Sequence, residues 1–148
     1  MAQEHAPKNI QDLAASVRAR LLNIAKADQT DFNAVLAEKL HAMVLLGMTN
    51  SRVKDYLDVW ILLERESLDV FTLATAIAAT FKRRATAVPT TLPIGLSDEF
   101  ANDASRQALW AAFLRKNDLA AAPLGEVVTA LRDALQPALV QAALLDGA

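Results

Sequence analysis

Two stretches of the sequence place charge at helical spacing. The first is Ala37-Glu38-Lys39-Leu40-His41, the second Arg52-Val53-Lys54-Asp55-Tyr56-Leu57-Asp58. Asp55 and Asp58 are three residues apart, so on a helix they share a face and could both point at one cation or one polar partner. Lys39 stands between Leu36 and Met43 on the apolar side of its helix. A lysine there is either a snorkelling stem or a positive charge held for a ligand. Lys82-Arg83-Arg84 forms a third, wholly basic turn, which suits either the negative end of a helix dipole or a phosphate backbone. On periodicity alone, solvated helix faces with ordinary ion pairs account for all of this charge.

Other chemistries lack their parts. The chain has no Cys, which excludes disulfide scaffolds, thiolate zinc sites, iron–sulfur clusters and cysteine nucleophiles, and suits a cytoplasmic protein. Its two histidines, His5 and His41, are far apart in sequence. No Gly-x-Ser-x-Gly turn supports a nucleophilic serine. Four isolated glycines cannot build a phosphate-cradling loop. Trp60 and Trp110 fall on apolar helix faces and read as core rather than as base-stacking platforms. With 15 basic and 17 acidic residues there is no overall pull towards nucleic acid, so an RNA contact needs a local patch. No secretory signal and no uncharged apolar run long enough to span a membrane is visible.

The elements that must hold these residues are helices. The 148 residues include 30 Ala and 23 Leu, strong helix formers, against 4 Gly and 5 Pro. Neither Gly nor Pro occurs between Met48 and Val88. The expected fold is all-α, a compact multi-helix bundle of six to eight helices with no substantial sheet. Residues 1–8 read as a flexible arm and 9–148 as a single helical domain. Ile10, Leu13, Ala14, Val17, Leu21 and Ile24 follow helical spacing after Asn9. A second helix, capped by Thr30 or Asp31, carries Phe32, Val35, Leu36, Leu40, Met43 and Leu46, with Gly47 as its stop. Ser51 is expected to cap a third, with Val53, Tyr56, Leu57, Trp60 and Ile61 inward. Ser67 or Asp69 caps a fourth, with Val70, Leu73, Ala74, Ile77 and Phe81 inward. Residues 86–96, with Pro89, Pro93 and Gly95, read as a loop. Ser97-Asp98-Glu99 restarts a helix that bends before Asp103 and turns Leu109, Trp110, Phe113 and Leu114 inward. Pro123 suits the first turn of the next helix, and Pro137 starts or kinks a short final one to about Leu145.

The segment Ala37-Glu38-Lys39-Leu40-His41-Ala42, followed by Leu46-Gly47-Met48-Thr49-Asn50-Ser51-Arg52-Val53-Lys54-Asp55-Tyr56-Leu57-Asp58-Val59-Trp60, resembles the C-terminal half of the AbiEii/AbiGii toxin family. These are nucleotidyltransferases of toxin–antitoxin and phage-defence systems. Ala-Glu-Lys-Leu-His-Ala looks like the family's third motif and Arg52-Val53-Lys54-Asp55 its fourth. Phe81-Lys82-Arg83-Arg84-Ala85-Thr86 and the stretch from Phe100 to Leu114 resemble its helical tail. Residues 9–36 resemble its N-terminal helices.

The resemblance implies that Lys39 contacts nucleotide phosphate and that Asp55 supports a metal or acts as general base. Arg52 and Lys54 join Lys39 as candidate nucleotide- or RNA-binding residues, and Asp58 and Arg52 also match family positions, where structural roles are expected. The family's magnesium and nucleoside triphosphate would be the cofactors, but none is expected for this chain. The family's Gly-Gly and Asp-x-Asp motifs, which lie on a central sheet, do not occur here. Asp31-Phe32-Asn33-Ala34-Val35-Leu36 runs directly into Ala37-Glu38-Lys39-Leu40, placing the junction of an internal deletion near Leu36/Ala37. The expectation is a truncated, nucleotidyltransferase-like protein without transfer activity of its own. The alternatives are a helical interaction or oligomerisation module and a residual nucleotide- or RNA-binding domain. A homodimer, a cognate antitoxin and, by resemblance, tRNA or another RNA are the expected partners; a membrane is not. Losing the sheet leaves Lys39 and Asp55 to find each other or water, and either a Lys39–Asp55 or a Lys39–Asp58 contact satisfies that need.

Overall fold

Apolar residues recurring every three to four positions, with few breakers, give helices that bury one face each. The computed structural model describes residues 32–146, and all of its regular structure there is helical. The first helix of the sequence reading, its flexible arm and the Thr30 or Asp31 cap lie outside the described residues. Six α-helices follow in order: α1 (Phe32–Leu46), α2 (Val53–Arg65), α3 (Val70–Arg83), α4 (Asp98–Ala101), α5 (Ala104–Lys116) and α6 (Leu124–Asp146). Two single 3-10 turns, Gly47–Thr49 and Ile94–Leu96, punctuate them. No strand occurs among the described residues.

The long α6 is the central strut. It packs most extensively on α3, then on α2, while α1 packs on α3. Leu73, Ala74, Ile77 and Phe81 of α3 are buried with Val127, Val128, Leu131, Leu135 and Leu139 of α6. At roughly 1.5–3 kcal/mol per large apolar side chain, this contact is a major stabilising term of the bundle. Trp110 is buried, and its indole N–H donates to the Ala122 carbonyl at 3.0 Å; Trp60 packs half-buried against the same core. Both tryptophans are therefore core residues.

Local chemistry fixes the helix ends. α1 stops at Gly47, whose φ of +51° is the left-handed conformation that a residue without Cβ adopts cheaply. Asp69 caps α3 by accepting from the Phe71 N–H, and Asp103 caps α5 by accepting from the Arg106 N–H. The cap expected at Ser51 is not made. α2 starts after Arg52, and the nearby side-chain acceptor is the buried Asn50, whose Oδ1 takes the Arg52 N–H at 2.7 Å.

Three further features differ from the expectation. The bend before Asp103 is a full break between α4 and α5. Leu109, expected inward, is 38 % exposed, because α5 buries only the Trp110 side of its surface. Pro137 neither starts nor ends a helix: α6 runs through it for 23 residues. Proline removes one N–H and crowds the preceding turn. Here Leu135, Ala138, Leu139 and Ala142 are buried on both sides of it, and that apolar contact carries the helix across.

Candidate functional site

α1 and α2 bring the two charged stretches together. The α1 register that buries Leu36, Leu40 and Met43 also turns Lys39 towards α2, leaving its side chain 14 % exposed. Lys39 Nζ donates to Asp55 Oδ1 at 2.7 Å and lies 3.3 Å from Asp58 Oδ2. Both contacts left open by the sequence are thus made by one ammonium. The two carboxylates are almost fully buried.

Each carboxylate has a second cation at the rim. Arg52 Nε lies 2.9 Å from Asp55 Oδ2, an ion pair whose angle misses that of a hydrogen bond. Lys54 Nζ donates to Asp58 Oδ2 at 3.1 Å, one helical turn along α2. Three cations therefore face two carboxylates. Lys39 is held inside the protein, whereas Arg52 and Lys54 keep about half of their side chains in solvent.

A cleft of about 580 Å³ opens beside this cluster. Its apolar wall is one face of α1, with Val35, Ala42, Leu45 and Leu46, and its charged rim is Glu38, Lys39, Arg52 and Arg84. Glu38 takes hydrogen bonds from Arg83 Nη2 at 2.7 Å and Arg84 Nε at 3.0 Å. The basic turn at the end of α3 is thus tied to α1 by an acid. Coulomb attraction through an effective dielectric near 20 makes such exposed pairs modest contributors.

Four features of the site went unread in the sequence. His41 is buried, meets Phe81 edge-on with ring centroids 5.0 Å apart, and shares a 2.9 Å hydrogen bond between its Nε2 and Thr86 Oγ1. Burial first, then the Arg84 charge, hold the imidazole below its ordinary pKa, against the opposing pull of Glu38. The Glu38–Arg83/Arg84 pairing is the second feature. The third is Asn50, which organises the approach to α2. The fourth is Tyr56, buried and stacked on Phe100 at 4.9 Å, whose hydroxyl donates to the Gly95 carbonyl at 2.7 Å. A Cβ at Gly95 would sit 2.8 Å from the Met43 carbonyl and 2.9 Å from the Tyr56 hydroxyl, so only glycine lets the turn close on α1 and α2. Only spacing beyond 38 residues links the two partners of each pair except Asn50, and no local signal marks that. For Asn50 a sequence signal existed: a side-chain acceptor two residues before the first helical residue's neighbour.

Comparison with known proteins bears on the same segment. The family model described as nucleotidyl transferase AbiEii toxin, type IV TA system, matches residues 30–137, well over half of the chain and all of the cluster. No curated protein and no solved structure matches significantly. By that match, the chain belongs to the AbiEii nucleotidyl transferase toxin family.

Proposed function

We propose that this chain is a truncated, nucleotidyltransferase-like toxin-family protein of a toxin–antitoxin or phage-defence system. It keeps the helical, phosphate-facing part of the site and does not transfer nucleotides on its own. The observation that carries this reading is the Lys39 ammonium held between Asp55 and Asp58 on the wall of an open cleft. A lysine so held is a fixed positive charge at low conformational cost, the form of charge that phosphate recognition uses.

The two groups that the family implies fit these residues unequally. A triphosphate suits them: Lys39, Arg52 and Arg84 on the cleft would hold its phosphates. Magnesium does not fit as a resident ion. It is bound on phosphates together with one or two free carboxylates. Here the neighbouring pair, Asp55 and Asp58, already has an ammonium between its members and a further cation on each. No group of three or more His, Cys, Asp or Glu suited to a metal comes together among the described residues. Asp55 then acts as the partner that orients Lys39. Neither an Asp-x-Asp nor a Gly-Gly motif occurs in the sequence. Phosphoryl-type transfer depends on that electrostatic clamp and on positioning. A cognate antitoxin is the partner that the family suggests, and the cytoplasm is the compartment that the reading assumes. No helix among the described residues is long and apolar enough to cross a membrane.

The test is incubation with labelled nucleoside triphosphates, magnesium and bulk tRNA. The expected result is no label on RNA or protein above that of the Lys39→Ala/Asp55→Ala double variant. Label above that background overturns the inactivity. The half-exposed Arg52 and Lys54 favour a second reading, residual RNA binding through Lys39, Arg52 and Lys54. That reading requires affinity that falls steeply with added salt, with a slope that shallows by about one when one phosphate-contacting cation is removed.

A further inference from the structure

Glu38 and Lys39 are neighbours on α1, yet they stand at the centres of opposite arrangements. Lys39 is a cation between two acids, and its cluster is buried. Glu38 is an acid between two cations, and its cluster is open to solvent. Its Oε2 accepts from Arg83 Nη2 at 2.7 Å, while its Oε1 accepts from Arg84 Nε at 3.0 Å and lies 2.8 Å from Arg84 Nη2. The Arg83 and Arg84 side chains remain 62 % and 53 % exposed. Arg84 also lines the cleft, where Glu38 is the one acid among the described lining residues. Guanidinium groups converging on one oxyanion are the means by which arginine holds phosphate as well as carboxylate.

We propose that Arg83 and Arg84 form a subsite for a terminal phosphate group, and that Glu38 is its internal competitor. The inference rests on the reading of the cleft as phosphate-facing, and adds which phosphates the basic turn admits. Two guanidinium charges face one carboxylate charge, so the cluster keeps a positive charge uncompensated. A phosphodiester that displaces Glu38 replaces one negative charge by another and leaves that excess unchanged. A terminal phosphate carries close to two charges at neutral pH, so it compensates both arginines, and it offers three acceptor oxygens where the carboxylate offers two. The exchange costs the protein little, because exposed ion pairs hold weakly and Glu38 regains water when it swings away. The inner cluster has no such freedom: Asp55 and Asp58 are buried and would be left without their shared cation if Lys39 moved to a ligand. Glu38 is thus a charge filter on the rim of the cleft. Backbone phosphates gain little at this turn, and a phosphate at the end of a molecule gains most.

The full chain is titrated at low salt with inorganic pyrophosphate, by calorimetry. It is also titrated, by fluorescence anisotropy, with one labelled oligoribonucleotide in its 5′-phosphorylated and 5′-hydroxyl forms. Glu38→Gln should bind pyrophosphate about fivefold more tightly than the native chain, the scale of two exposed ion pairs lost from the competing state. Arg83→Gln with Arg84→Gln, added to Glu38→Gln, should abolish that gain. Glu99→Gln makes the same change of charge on an exposed acid of α4 and should not reproduce it. The oligonucleotide arms separate the sources of the phosphate. Preference of the native chain for the 5′-phosphorylated form names an RNA end, and equal binding of the two forms names a small phosphate compound. No binding of pyrophosphate, no gain in Glu38→Gln, an equal gain in Glu99→Gln, a gain that survives loss of both arginines, or preference for the 5′-hydroxyl form would each overturn the proposal. Binding is read here without any transfer, so its failure is distinct from label appearing on RNA or protein in the test above.

Discussion

The α3–α6 contact and the α1–α2 contact join helices by opposite means. The first buries Leu73, Ile77 and Phe81 against Val127, Leu131 and Leu135, with every group apolar. The second places an ammonium and two carboxylates at its centre. Burying charge costs several kcal/mol per ion before pairing offsets it, and apolar groups of similar volume commonly do as well or better. The α1–α2 contact is thus the costlier way to join two helices. The comparison teaches that stability in this bundle is set largely by α3 and α6, and that the charge at α1–α2 is better explained by what it presents to the cleft.

Substitution should expose the contrast. Phe81→Ala should cost about 3–5 kcal/mol by leaving a cavity, measured by urea unfolding, and no partner substitution short of refilling the space should recover it. Lys39→Ala should cost about 1–3 kcal/mol, because two buried carboxylates lose their shared cation while Arg52 and Lys54 still hold one each at the rim. Its loss should be recoverable: Lys39→Met with Asp55→Leu and Asp58→Leu should return stability to about the native level or above it. If the triple variant stays as unstable as Lys39→Ala, the charge is required for folding and the contrast between the two contacts collapses.

Smaller effects sharpen the same picture. Gly95→Ala should cost about 1–3 kcal/mol by overpacking, since its Cβ meets the Met43 carbonyl, which is backbone and yields little. Its effect should appear as a lower Tm. The smallest effect concerns pH. The His41 pKa lies below 6.5 in the folded chain, so below pH 6.5 the unfolded chain binds more protons than the folded one. The stability that His41 contributes is present above pH 6.5 and is lost as pH falls through the lowered folded value. His41→Gln should flatten that part of the Tm-against-pH curve while leaving the rest unchanged.

The helices could be read from the sequence because their causes are local. Periodic Leu and Ala, the Asp69 cap and the Gly47 stop each act within a few residues. The course of α6 through Pro137 could not, because it depends on burial against α2 and α3. Lys39 and Asp55 stood out by type, spacing and resemblance. Their meeting follows only from the crossing of α1 and α2, which the sequence left open. The His41–Thr86 and Tyr56–Gly95 pairs were illegible because each joins positions about forty residues apart. The position of residues 37–58 within a larger nucleotidyltransferase pattern came from resemblance, not from periodicity.

The placement of the two indoles makes the contrast between the contacts optically separable. Trp60 rides on α2 with the charged cluster, and Trp110 is sealed on α5 by its bond to Ala122. Their emission spectra therefore sample different neighbourhoods of one molecule. A chain with Trp110→Phe reports on the α2 region, and one with Trp60→Phe on the α5 region. Loosening of the charged end ahead of global unfolding would redden the first before the second, turning a difference in packing chemistry into a difference in colour.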